Sequence, residues 1–244
     1  NIENYRSNKC CTLLGVGPMS KNCVDATIEL AKEHQAPLML IASRRQVDSE
    51  KFNGGYVENW TTKEFSDYVF ERDKDNNIML ARDHGGPWQN ELEKTKNMNL
   101  KDAMTSAKES YSADIDSGFH ILHIDPSIDI HIQPTIDQIL ERVYELYDFC
   151  WTYAQQNKRD IIFEIGTEEQ SGGNNTKDEL EYTLASMKKF CSSNKLPYPS
   201  FIVIQAGTRV METKNVGSFD SPVRIENELP PEINPQTYQV PSRI

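Results

Sequence analysis

The chain has 244 residues, with 26 Lys plus Arg against 37 Asp plus Glu, a formal charge of -11 and 37% hydrophobic residues. That length sustains one large α/β domain, and the acid excess argues against a nucleic-acid groove or an anionic membrane surface as its main partner. No apolar run approaches the roughly 18 residues of a membrane span, and residues 1–9 are polar without a signal-peptide core, so a cytoplasmic location is expected. Five scattered cysteines with no Cys-x-x-Cys pair argue against a disulfide framework.

Apolar, β-prone segments alternate with helical patterns up to about residue 210, the signature of repeated β/α units around a parallel sheet. Six strands are predicted, near residues 12–16, 38–42, 78–81, 120–124, 161–165 and 201–204. Ser20 is positioned to cap a helix burying Val24, Ile28 and Ala31, and Thr61 with Glu64 and Thr176 with Glu179 each fit a capping box. A helix is predicted from about Leu100 to Ala113. Pro134 suits a first helical position, and Ile136, Ile139, Leu140, Val143, Tyr147, Cys150, Trp151 and Ala154 then repeat on one helical face. Pro222, Pro230, Pro231, Pro235 and Pro241 mark residues 221–244 as an extended segment. The expected architecture is a TIM (β/α)₈-type barrel occupying residues 1–220, with six strands visible. Two further units of about 40 residues each would then follow, and a six-stranded open sheet is the structural alternative.

The polar groups gather at strand ends. Leu80 and Ala81 run into Arg82, Asp83, His84, Gly85, Gly86 and Pro87, so an apolar strand ends in a carboxylate, an imidazole and two glycines. Adjacent strand residues start on opposite faces, and a turn at the glycines is needed to bring Asp83 and His84 together. His123 and Asp125, two apart, share a face, and Ser127 adds a hydroxyl. Glu168 and Glu169 follow the fifth segment and Gln205 the sixth. Imidazole and carboxylate ligands suit a divalent metal such as Zn, Mg or Mn, with His84, Glu168 and Glu169 as the candidate ligands. Asp83 and Glu168 are the candidate proton carriers. Arg44 and Arg45 could clamp a phosphate bidentately, while Gln46, Asp125, Ser127 and Gln205 offer hydrogen bonds to a sugar. No dinucleotide fingerprint, Walker loop or nucleophile elbow is present.

In these residues the chain resembles the class II tagatose-bisphosphate aldolase accessory subunits. The likeness rests on Gln46 and Val47 before Gly54, Gly55 and Tyr56; on Asp83 and His84 before Gly86 and Pro87; on His123, Asp125 and Ser127; on Ile165 through Glu168; and on Gln205 with Gly207. The resemblance implies a TIM barrel related to class II aldolases, which use a divalent metal to stabilise an enediolate. Asp83 matches the aldolases' proton-transferring Asp and His84 a zinc-binding His, whereas later aldolase histidines are replaced by Glu168 or Glu169 and by Gln205. The expected role is support of a separate class II aldolase within an oligomer, with a retained sugar-phosphate pocket. The alternative is a metal-dependent ketose-phosphate 4-epimerase or aldolase in its own right. The resemblance also implies that the barrel continues beyond Ile244.

Overall fold

The computed structural model describes residues 12–167, 177–204, 209–211 and 214–216. Strands β1 (Gly15–Val16), β2 (Leu38–Ser43), β3 (Ile78–Gly85), β4 (Ile121–Ile124), β5 (Ile162–Ile165) and β6 (Phe201–Ile202) form one sheet in chain order, every neighbouring pair parallel. Helices α1 (Lys21–His34), α2 (Thr62–Arg72), α3 (Glu91–Thr95) with α4 (Leu100–Asp116), α5 (Ile136–Gln156) and α6 (Lys177–Asn194) connect them. Beyond β6, β7 (Arg209–Met211) and β8 (Lys214–Val216) pair as a separate antiparallel ribbon. Successive right-handed crossovers that all step in one direction put every helix on the same side of the sheet, as in a β/α barrel; a doubly wound sheet would reverse its strand order. Among the described residues no helix is long and apolar enough to cross a membrane.

The local signals act much as their chemistry dictates. Ser20 Oγ accepts from the Cys23 amide at the start of α1, and Thr61 with Glu64 forms the capping box of α2. A second box, Thr135 with Gln138, opens α5, so Pro134 precedes the cap rather than occupying the first helical position. Thr176 lies outside the described residues. β3 runs four residues further than its apolar core suggests, because pairing continues from Ser43 to Asp83 and from Ile124 to Gly85. The short α3, capped by Asn90, has too few turns to show a period and was not anticipated.

Alternation along the strands sorts side chains onto two faces. Leu38, Leu40, Ala42, Ile78, Leu80, Leu122, Ile124, Phe163 and Ile165 belong to the core that the helices cover, joined by Val143, Leu146, Tyr147 and Cys150 of α5. Tyr147 stacks on Phe163 with ring centroids 3.8 Å apart. The opposite face carries Met39, Ile41, Met79, Ala81, Ile121 and Ile162, and one step further toward the strand ends it carries Ser43, Asp83, His123 and Glu164. Ser43 pairs in register with Asp83, and His123 with Glu164. An apolar floor thus gives way to one polar layer. Leu122 is fully buried in the middle of this sheet, and Leu122→Ala is expected to cost about 2–5 kcal/mol in urea unfolding.

Candidate functional site

Asp83 and His84 converge through an irregularity inside β3. Between Arg82 and Gly85 the strand advances three residues while β4 advances two, from Leu122 to Ile124. His84 occupies the extra position with φ +43°, a left-handed conformation that an L-residue adopts only under constraint. The bulge turns the His84 side chain toward the face that already carries Asp83. The turn expected at the glycines is therefore made one residue earlier, on the histidine itself. Gly85 and Gly86 serve a different need, close approach: a Cβ on Gly85 would run into the Tyr111 ring, and one on Gly86 would lie 2.2 Å from the Asp125 carbonyl oxygen.

β4 holds the bulge in place. The Asp125 amide donates to the Gly85 carbonyl at 2.7 Å, and the His84 amide donates to His123 Nδ1 at 3.1 Å. His84 Nδ1 lies 2.8 Å from Asp125 Oδ2, and Asp125 also accepts from Gln89 Nε2 and from the Ser127 hydroxyl and amide. Burial alone would raise the Asp125 carboxyl, but the His84 hydrogen bond, the His123 and His84 rings and Ser127 hold it below its ordinary value. As a carboxylate it can only accept, so Nδ1 of His84 carries a proton. A carboxylate behind a histidine is the usual way a ligating imidazole is oriented.

Asp83, His84 and His123 each offer a ligand atom, all within 4.8 Å of one another. Asp83 Oδ1 lies 3.6 Å from His123 Nδ1 and 3.9 Å from His84 Nε2. Burial works to raise the Asp83 carboxyl, and His123, His84 and Arg82 more than offset it, so Asp83 is held below the usual aspartate range. Glu164 Oε2 stands 4.0 Å from His123 Nδ1, and burial together with the Asp83 charge raises its carboxyl. For His123, burial disfavours the charged ring, but Asp83, Asp125 and Glu164 outweigh it and its pKa rises. The negative field that favours a proton there favours any other cation equally. His123 Nδ1 is the ring nitrogen that faces Asp83 and Glu164, while Nε2 is buried with no hydrogen-bond partner among the described residues. On donor chemistry and spacing, the three residues fit a divalent cation.

The other sequence-predicted residues distribute unevenly. Arg44 is 1% exposed and spends its guanidinium on Asp48, Glu93 and the Gly86 carbonyl, which corrects the expectation of a paired phosphate clamp; Arg45 alone is exposed. Gln46 is buried, accepting from the Ser43 amide at 2.9 Å and donating to Met19 Sδ at 3.3 Å. Asp125 and Ser127 are fully buried, Asp125 against His84 Nδ1 and Ser127 against the Asp125 carboxylate. Glu168, Glu169 and Gln205 lie outside the described residues. His131 stands apart, its Nε2 2.8 Å from the Met98 carbonyl and its ring against Trp88. Sequence reasoning missed Glu164, Gln89 and the supporting role of Arg44. The available signal for Glu164 was a carboxylate in the apolar run Ile162, Phe163, Glu164, Ile165, in phase with Ile162.

Fold and site together define a β/α-barrel protein whose polar side chains converge at the C-terminal ends of parallel strands. The chain belongs to the D-tagatose-1,6-bisphosphate aldolase subunit GatZ/KbaZ-like family, whose model matches residues 1–197. Its structure is similar to that of a probable tagatose 6 phosphate kinase from Sinorhizobium meliloti 1021, with TM-score 0.65 and 19% identity over 85% of this chain and 52% of the other. It is also similar to a fructose-bisphosphate aldolase from Campylobacter jejuni, with TM-score 0.52 and 15% identity over 88% of this chain and 58% of the other. The chain thus spans just over half the length of these two solved structures.

The close approach at Gly86 is directly testable. Gly86→Ala is expected to lose more than about 1 kcal/mol in urea unfolding. Gly17→Ala, whose Cβ would meet only Gln46 Nε2 at 3.4 Å, is expected to change stability little.

Proposed function

We propose that this protein acts in carbohydrate metabolism as a subunit supporting a class II aldolase, and that it retains a sugar-phosphate pocket at the strand ends. Residues 1–220 would form one β/α-barrel domain. Family membership supports the metabolic setting. The convergence of Asp83, His84 and His123 beside Glu164 is the observation that supports the pocket.

In this reading His84 and His123 would hold a divalent metal, with Glu168 or Glu169 completing the set. Such an ion would supply electrostatic stabilisation for charge developing on a ketose oxygen. Asp125 keeps the His84 ring in one tautomer and one direction. Asp83, held ionised and half-buried, is placed to accept a proton from a substrate hydroxyl or carbon and to return it. Arg45 on the rim would meet the phosphate, and Gln205 a sugar hydroxyl. The buried helix-side core beneath the layer keeps these groups at fixed spacing.

The ionised state of Asp83 beside two imidazoles favours a second reading, a metal-dependent ketose-phosphate 4-epimerase or aldolase acting alone. Screening the full-length protein with ketose phosphates, with and without Zn, Mg or Mn ions, separates the two. Under the second reading Asp83→Asn lowers turnover by about 10²–10⁴-fold while metal content and folding persist, and unchanged turnover removes Asp83 from proton transfer. Under the first, the protein co-elutes with a catalytic aldolase in size-exclusion chromatography and raises its activity or lifetime; separate elution with no such effect counts against it.

A further inference from the structure

Arg44 leaves β2 at its C-terminal end and turns away from the polar layer into the space beneath the loop between β3 and α3. Its Nε donates to Asp48 Oδ2 at 2.9 Å, and one terminal nitrogen donates both to Glu93 Oε1 at 2.6 Å and to the Gly86 carbonyl at 2.9 Å. The other terminal nitrogen reaches Ser106 Oγ at 3.4 Å, and the guanidinium lies over the Phe52 ring, 4.9 Å from its centroid. Asp48 is itself tied to Asn90, Ser110 and the Ser49 amide, and Ser106 donates to Glu93. The network joins the loop after β2, the loop after β3 and helix α4.

Only one of these bonds reaches the chain that carries the site, and its placement matters. The two carbonyls following His84 are held by different elements, Gly85 by the Asp125 amide and Gly86 by Arg44. The Gly85–Gly86 peptide is thus held through its carbonyl by β4 and the next peptide, Gly86–Pro87, through its carbonyl by Arg44; with two successive planes fixed, the left-handed His84 before them is kept from relaxing toward the extended region, where an L-residue is more stable by about 1–2 kcal/mol. Relaxation would withdraw the His84 amide from His123 Nδ1 and swing the ring off Asp125.

We infer that Arg44 is a positioning residue for the cation site: its hold on the Gly86 carbonyl fixes the β3 bulge and thereby the direction of the His84 ring. This rests on the proposed cation-binding role of His84 and His123. The role makes a prediction whose sign opposes simple electrostatics. Removing a buried positive charge near the cluster strengthens cation binding by Coulomb's law, whereas losing a positioning group weakens it. Arg82 is the matched reference. It is equally buried, but its guanidinium serves Asp114 and the carbonyls of Ala42 and Val47, on the helix side of the sheet.

The test uses the full-length protein and Co²⁺ as the probe, with its visible absorption reporting ligand geometry and titration giving the affinity. Arg44→Met and Arg44→Lys are compared with wild type and with Arg82→Lys, folding being checked by circular dichroism. Arg44→Lys, which keeps the charge but cannot reach all three partners, covers the case in which Arg44→Met fails to fold. The expected result is about tenfold or more weaker Co²⁺ binding and an altered spectrum in the folded Arg44 variants, with wild-type values in Arg82→Lys. Unchanged or tighter binding in a folded Arg44 variant overturns the positioning role, as does equal weakening in Arg82→Lys. Absence of Co²⁺ binding by wild type overturns the cation reading itself and this inference with it.

Discussion

The hydrogen bond from the Asp125 amide to the Gly85 carbonyl, 2.7 Å long, closes a two-against-three mismatch between β4 and β3, and the arrangement of the site follows from it. With regular pairing, His84 would face the helices and meet the apolar core. With one extra residue it faces Asp83 and His123 across the mouth of the barrel. Asp125 does double duty: its amide closes the bulge, and its carboxylate receives the imidazole that the bulge delivers. Backbone register and side-chain chemistry are thus coupled through a single residue. The cost is a histidine in the left-handed region, a strain of the kind that persists only where its surroundings over-determine it.

Electrostatics around that bulge divides into two compartments separated by the sheet. On the helix side, Arg44 and Arg82 are almost wholly enclosed. Burial alone would lower the pKa of each guanidinium, but Asp48 and Glu93 for Arg44, and chiefly Asp114 for Arg82, more than compensate and keep both charged. Such pairs contribute little net stability compared with apolar packing, yet breaking one partner is costly, so they act more as alignment devices than as glue. On the pocket side the balance is reversed. Asp83, Asp125 and Glu164 surround two imidazoles, and the local field is negative, matching the sign of the whole chain.

Much of the architecture was legible because it depends on local rules. Alternating β and α patterns, the Ser20 cap and the Thr61–Glu64 box are decided within a few residues, and all six predicted strands overlap those observed, β2, β4 and β5 to within one residue at each end. The Asp83–His84 pair was recognisable as a strand-end feature, and His123 as its neighbour in the adjacent strand. Other features were hidden because they depend on register. Whether the first or the second arginine of Arg44–Arg45 turns inward depends on how the loop after β2 meets α3 and α4, and no pattern within that segment encodes it. The inward aim of Glu164 required knowing that it pairs with His123. The bulge at His84 was invisible since nothing in the local sequence distinguishes an extra residue from a longer strand.

The face of the sheet opposite the helices is divided by depth: Ile41, Ala81, Ile121 and Ile162 lie one register step beneath the layer of Ser43, Asp83, His123 and Glu164, and Met39 and Met79 lie two steps beneath it. Exchanging Ala81 for a larger residue, or Met79 for a smaller one, would reshape the space available below without altering any hydrogen bond described for the upper layer. The dimensions of the cavity floor and the polar chemistry above it are thus set by different residues, and evolution could alter one without the other.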